Sequence, residues 1–255
     1  MRRTFLSLIV LLTWGSFPSI AYSQAWIELF GPTNRPLNSV SFCDSLTGYA
    51  VGDHATILRT TNAGTTWITQ SIPGNGDIMK KVITISPASA FIIANVSWTT
   101  RSYVLYTSDS GNTWNTRMNI PYYRYGLSFV NAQFGVALGG DEFYRTTDGG
   151  DTWQTLATPY SYLSDISFCD PRHGMACGVL GNIYVTSDSG NTWTPSSAGN
   201  TYYFSHILVV DSLHAFMSGQ QAVFATSDGG ATWQQILADG EDSQISQHVG
   251  LTTSL

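Results

Sequence analysis

Charge is scarce in this chain. Charged residues fill 11% of its 255 positions, against roughly 25% in an average soluble protein. Basic residues number 11 against 17 acidic ones, for a formal charge of −6. That balance leaves no basic face to neutralise phosphates, so nucleic acid is not an expected partner. Three cysteines are too few for a disulfide scaffold. Glutamate occurs only at Glu28, Glu142 and Glu241, which leaves little material for paired-carboxyl chemistry. The histidines, His54, His173, His206, His214 and His248, show no metal-ligand spacing. No Gly-rich loop opens a helix to cradle phosphate. No metal and no cofactor is expected. Disorder is excluded from the other side, because 43% apolar and 13% aromatic residues give the chain ample surface to bury.

The first residues read as a leader. Arg2 and Arg3 precede an apolar run from Phe5 to Trp14, and Gly15 to Pro18 breaks it. The run is shorter than the roughly 20 residues that span a bilayer. Small residues in Ala21-Tyr22-Ser23 suit a signal peptidase, so residues 1–23 are expected to be a signal peptide cleaved before Gln24. No later segment is long and apolar enough to cross a membrane. The expected destination is the periplasm, the cell surface or the extracellular space.

The rest of the chain is a repeat. Thr-x-Asp/Asn-x-Gly-x-Thr-Trp recurs five times, from Thr60, Thr107, Thr146, Thr186 and Thr226, with Trp-to-Trp spacings of 47, 39, 40 and 40 residues. Each position has a physical task. The acidic side chain (Asp109, Asp148, Asp188, Asp228, with Asn62 in the first copy) can accept from amides just ahead of it and hold a tight turn. The glycine (Gly64, Gly111, Gly150, Gly190, Gly230) accepts a conformation that a Cβ forbids. The tryptophan (Trp67, Trp114, Trp153, Trp193, Trp233) can fill the gap between neighbouring sheets. Asn62 keeps the acceptor oxygen, so its turn should survive.

Strand patterns surround each copy. Leu163 to Phe168 alternates as a first strand, Asp170 to Gly174 turns, Met175 to Val179 and Asn182 to Thr186 follow, and a fourth strand begins at Trp193. The same order recurs from Val40, Leu127 and Leu208, and the second copy is longer because Asn95 to Ser102 inserts between its second and third strands. Four antiparallel strands every 40 residues or so predict an all-β fold, a β-propeller of four-stranded blades. One blade cannot bury both of its faces, whereas a radial stack can. Residues 24–240 form this propeller, and residues 241–255 are a tail or the start of a further blade. Five units are complete. Ala25 to Leu29 resembles a spare fourth strand and Ile245 to Leu251 a spare first strand, so the ring is either five-bladed or a truncated six- or seven-bladed one.

The repeat resembles the Asp-box, or bacterial neuraminidase repeat. The longer signature, Phe42-Cys43-Asp44, then Gly48 to Gly52, then Ile57 to Thr61, then Gly64, Thr66 and Trp67, is similar to the photosystem II stability/assembly factor family, over about Ala25 to Leu237. The resemblance implies a propeller without catalytic activity whose partner would be a membrane-protein assembly intermediate. It also opens a second reading, a sialidase-like glycoside hydrolase. Such enzymes carry a Phe/Tyr-Arg-Ile-Pro segment before the first box. Asn34-Arg35-Pro36-Leu37 does not match it, and Arg59 and Arg145 occupy equivalent strands beside the boxes, which suits a structural role. Asp141 and Glu142 are adjacent in sequence, so their carboxyls should diverge. The expectation is therefore an exported binding scaffold for protein or glycan, not an enzyme. A module of a larger cell-surface protein is a further reading.

A ligand is expected on the face opposite the boxes, where the fourth-to-first and second-to-third connections lie. The candidate residues there are Tyr122, Tyr123, Arg124, Tyr125, Tyr160, Tyr162, Tyr202 and Tyr203 from the first kind of connection. Asp53, His54, Trp98, Arg101, Asp141 and Glu142 come from the second. Asp77, Lys80 and Lys81 are assigned to the loop before the second blade. The tyrosines either meet a partner or open the first strands and pack between blades. Cys169 and Cys177 lie close enough in sequence for a bridge across one hairpin, although free buried thiols are the preferred expectation.

Overall fold

The computed structural model describes residues 31–72, 76–121, 126–139, 142–157, 162–219 and 222–238. Blade 1 consists of β1 (Leu37–Phe42), β2 (Gly48–Gly52), β3 (Thr56–Thr60) and β4 (Ile68–Gln70). Blade 2 holds β5 (Ile78–Thr84), β6 (Ala90–Asn95), β7 (Ser102–Thr107) and β8 (Asn115–Ile120). Blade 3 holds β9 (Leu127–Phe129), β10 (Gly135–Leu138), β11 (Glu142–Thr146) and β12 (Gln154–Ala157). Blade 4 holds β13 (Leu163–Phe168), β14 (Gly174–Gly178), β15 (Ile183–Thr186) and β16 (Thr194–Ser196). Blade 5 holds β17 (His206–Val209), β18 (Ala215–Gly219), β19 (Ala222–Thr226) and β20 (Gln234–Ala238). Each blade is one antiparallel sheet with its strands in chain order. Among the described residues the one helical turn is a 3-10 turn at Val179–Gly181. The spare strands expected at Ala25 to Leu29 and Ile245 to Leu251, and the leader, lie outside the described residues.

Burial explains the strand composition. The second strand of a blade is covered on both faces, so it reads as an unbroken apolar run, as in β6 (Ala90–Asn95), where every residue is buried. Phe91, Ile93 and Val104 turn toward Leu127, Phe129 and Ala137 of blade 3. Ile92 and Leu105, one residue out of phase, turn toward Tyr49, Val51 and Ile57 of blade 1. Two more apolar clusters of this kind join blade 3 to blade 4 and blade 4 to blade 5. The outermost strands face water, and Ile68 in β4 is exposed. The inner strands pack in series, β1 on β5, β5 on β9, β9 on β13 and β13 on β17.

An inner strand has one unpaired edge, and unpaired edges invite unwanted pairing. Here the preceding blade covers the edge with side chains. Ser39 Oγ accepts the Val82 amide at 3.2 Å and Ser41 Oγ accepts that of Thr84 at 3.0 Å. Ser128 does the same for Phe168 and Ser167 for Val209, each at 3.0 Å. Bulges aim the outer of these positions. The register slips between Leu37 and Ser39, between Met79 and Lys81, and between Leu163 and Asp165, which re-aims the side chain that follows.

The corners behave as the sequence implies. In the third copy Thr146 Oγ1 donates to Asp148 Oδ1 at 2.8 Å and accepts the Gly150 amide at 2.8 Å. Asp148 Oδ1 accepts the Thr152 amide at 2.9 Å, and Oδ2 accepts its hydroxyl at 2.6 Å. The Thr152 bonds, followed by that of Thr146, pull the Asp148 carboxyl down to about 2. In the first copy Asn62 accepts the Thr66 amide at 2.9 Å and donates its own amide to the Thr66 hydroxyl, so the turn survives. Gly150 has φ +87, and the preceding residue is left-handed too, including the non-glycines Ala63, Ser110 and Ser189. The tryptophan sits just ahead of the fourth strand. Trp67, Trp153 and Trp193 meet Phe42, Phe129 and Phe168 of their own blades edge-on. Blade 2 has Thr84 at that place, and Trp114 turns instead to Tyr49 of blade 1.

The three cysteines are free. Cys177 pairs across the sheet with Asp165, whereas Cys169 lies past the end of β13 with its Sγ on the His173 carbonyl. The two thiols therefore do not face each other, and the bridge that the sequence left open is not formed.

Candidate functional site

Antiparallel strands in chain order place the fourth-to-first and second-to-third connections at one end of every blade and the boxes at the other. The boxes are therefore separate corners on the far side. Both carboxylate oxygens of Asp109, Asp148, Asp188 and Asp228 are occupied by the threonine four residues on.

On the opposite face the blade 4 connection is built most tightly. The turn Val179–Gly181 lies between two incoming loops. The Val179 amide donates to the Tyr162 carbonyl at 3.3 Å and the Gly181 amide to the Tyr202 carbonyl at 2.8 Å. The Phe204 amide closes the set on the Gly178 carbonyl at 3.0 Å. A Cβ on Gly219 would overlap the Tyr203 carbonyl oxygen, and one on Gly178 that of Tyr162, so glycine is required where these loops cross. The result presents large apolar side chains to water. Tyr162 is 66% exposed and Leu180 65%, with Tyr202 and Tyr203 beside them less so. On blade 2 the inserted turn carries Trp98, which is 100% exposed. Trp98, Tyr162 and Leu180 have φ of +65, +72 and +57, a region that costs non-glycine residues of order 1–3 kcal/mol each.

The remaining candidates divide. Asp53 holds the fold, since its Oδ1 accepts the Asn38 amide at 2.9 Å. His54 is exposed, at φ +56, and its carbonyl accepts from Arg35 at 2.8 Å. Arg101 is exposed next to Trp98. Glu142 accepts the Tyr144 hydroxyl at 2.9 Å. Asp77 accepts the Ser97 amide and the Tyr103 hydroxyl. Phe204, which follows the tyrosine pair, is fully buried in the cluster between blades 4 and 5. The tyrosine loops thus divide by residue, with Tyr162, Tyr202 and Tyr203 exposed and Phe204 packed between blades. Tyr122, Tyr123, Arg124, Tyr125, Tyr160 and Asp141 lie outside the described residues.

Sequence reasoning missed the axial cluster. Lys80 and Lys81 are not in a loop but in β5. Lys81 Nζ reaches across the axis to Asp165 Oδ1 of blade 4 at 2.8 Å. Blade 3, which lies between, has Gly126 at the equivalent position, where a Cβ would collide with Leu138. Asp165 Oδ2 accepts the Ile207 amide at 3.3 Å, and His206 Nδ1 lies 3.7 Å from it. Burial alone would push the Asp165 carboxyl up, but Lys81 and then His206 hold it below the usual carboxylate range. The signal was present in the repeat. Ser39, Lys81, Gly126, Asp165 and His206 share one position in the inner strands of the five blades.

Blades of this topology, stitched at their inner edges and cornered in this way, define a β-propeller. This one resembles the photosystem II assembly factor propellers. Residues 19–122 match the family model described as Photosynthesis system II assembly factor YCF48. Among solved structures, YCF48 bound to D1 peptide is similar at 20% identity and a TM-score of 0.53, covering 80% of this chain and 82% of that one. YCF48 from Cyanidioschyzon merolae is 15% identical with a TM-score of 0.54, covering 83% and 88%. The GH74 enzyme of Niastella koreensis is 17% identical with a TM-score of 0.64, over 84% of this chain but 34% of that enzyme. At such identities the likeness carries the fold. No curated protein matches the chain significantly.

Proposed function

We propose that this protein is an exported, non-catalytic scaffold that grips a segment of a partner protein on the face opposite its boxes. The observation that carries the reading is the display of Trp98, Tyr162 and Leu180 at left-handed backbone positions. Strained backbone persists where the surrounding structure over-determines it, and it clusters at functional sites. Rigid, exposed aromatic residues are the usual anchors of binding surfaces. A propeller of similar fold, YCF48, has been solved with a D1 peptide bound, which supports a peptide or protein ligand over a glycan.

The likeness to GH74 enzymes keeps hydrolysis as a competing reading. Glycoside hydrolysis needs a carboxyl kept protonated by a raised pKa beside a second carboxyl. Among the described residues every aspartate with a resolved shift is moved down, and the strongest cases are bonded at the corners.

The test is selection of binders from a random peptide display library, followed by the triple substitution Trp98→Ala, Tyr162→Ala, Leu180→Ala. Selected peptides should bind the native chain and lose at least tenfold in affinity to the variant, with melting unchanged. Peptides that ignore the substitution would overturn the assignment of this face. Turnover of fluorogenic glycosides, abolished by Glu142→Gln or Asp141→Asn, would overturn the non-catalytic reading.

A further inference from the structure

A cavity of about 610 Å³ opens on the flank of blade 1, between residues 31–35 and strands β3 and β4. That is the size of a small-ligand site. Leu58, itself buried, lies beneath it, and Arg35, His54, Thr33, Asn34 and Thr69 supply the polar lining. Among the described residues no carboxylate lines it, although the protein carries a formal charge of −6. Two described acidic side chains of blades 1 and 2 are committed elsewhere. Asp53 is bonded to Asn38, and Asp77 to Ser97 and Tyr103.

The basic groups are held in place by backbone. His54 and Ala55 are consecutive non-glycine residues at φ +56 each. The Ala55 amide donates to the Asp77 carbonyl of blade 2 at 2.6 Å, and the His54 carbonyl accepts Arg35 Nη1 at 2.8 Å. That contact uses one N–H of a guanidinium that has five, and the side chain makes no other bond among the described residues. A planar fork fixed at one corner, beside an exposed imidazole, suits the two oxygens of a carboxylate.

We propose that this cavity binds a small carboxylate-bearing ligand. Arg35 and His54 take the carboxylate, and Thr33, Asn34 and Thr69 take neighbouring hydroxyls or amides. The ligand is an acidic sugar or the free C-terminus of a short peptide, which share this chemistry. The site uses residues other than Trp98, Tyr162 and Leu180, although His54 lies on the same end of the blades.

The experiment is calorimetric titration of the full chain with glucuronate, glucose, a tripeptide with a free C-terminus and its amidated twin. Affinity on the order of 1 mM is expected for a ligand of this size. At least one acid should bind, its neutral counterpart should bind at least tenfold more weakly, and the acid that binds identifies the source. Arg35→Gln should cost at least tenfold, while Arg172→Gln, on a turn at the box end, should cost nothing. Both are exposed positions, and His54→Asn, which tolerates the left-handed backbone, gives a second reading if Arg35→Gln melts early. Failure of both acids to bind at ten times that concentration overturns the proposal. So does equal binding of the neutral counterparts, or binding indifferent to both Arg35→Gln and His54→Asn.

Discussion

Replacing Lys81 with methionine removes the cation from an axial pair whose carboxylate is almost wholly enclosed. The side chains of Lys81 and Asp165 are 28% and 6% exposed. Breaking one half of a buried pair costs about 3–5 kcal/mol, because the surviving charge is left uncompensated. Asp165 keeps the Ile207 amide, so the loss should fall at the low end, about 3 kcal/mol. For a domain of this size each kcal/mol moves the melting temperature by about 2–4 °C, giving a fall of about 6–12 °C at pH 7. The pH dependence has a definite sign. In the native protein the Asp165 carboxyl lies below its ordinary value, so the pair stabilises above about pH 4 and that benefit fades as pH falls through the folded value. Without Lys81, burial is opposed only by His206 and the Ile207 amide, so the carboxyl rises relative to the native protein and the penalty present at neutral pH shrinks as the group protonates. The gap between variant and native protein should therefore narrow from pH 7 to pH 4. Adding Asp165→Asn, which still accepts the Ile207 amide, should recover most of the loss. Thermal melts followed by circular dichroism at both pH values test this. A Lys81→Met protein that melts within 2 °C of the native one at pH 7, or whose deficit is unchanged at pH 4, would refute the argument.

Other expectations come from the corners, the stitches and the loop crossings. Asp148→Ala and Asp228→Ala should each lower the melting temperature without touching peptide affinity. Their carboxyls are held at about 2 by threonine bonds, so the corner contribution is full above about pH 4 and lost only as pH falls toward 2, which an acid melt series checks. Ser167→Ala removes the partner of the buried Val209 amide and should cost about 1–2 kcal/mol in a denaturant titration. Gly219→Ala forces a Cβ against the Tyr203 carbonyl. It should lower stability and displace the tyrosine loop, read as lost peptide affinity at temperatures where the protein is still folded.

Much of the architecture was legible in the chain. The eight-residue box locates the corner between third and fourth strands, because local bonds between Thr, Asp and the amides ahead make that turn without help from the rest of the fold. The strands from Gly48 to Gly52, Thr56 to Thr60 and Leu163 to Phe168 fall where alternation and turn residues put them. The exposed aromatic face was legible only in part. Sequence could name Trp98, Tyr162 and Tyr202 but could not separate exposed Tyr203 from buried Phe204 beside it, since a shift of one residue in strand phase exchanges inside and outside. Leu180 carried no signal, because nothing local says that an apolar residue in a tight turn is pinned outward by two neighbouring loops.

Local chemistry, then, was enough to set the strands, the corners and their period, since each depends on residues a few positions apart. Which residues meet across the axis was decided by the ring. Lys81 and Asp165 are 84 residues apart, and they touch because the radial arrangement of the blades brings one repeat position of blades 2 and 4 together. The cavity under Arg35 has the same origin. Its walls come from a segment ahead of the first strand and from two later strands, and only packing brings them to one place.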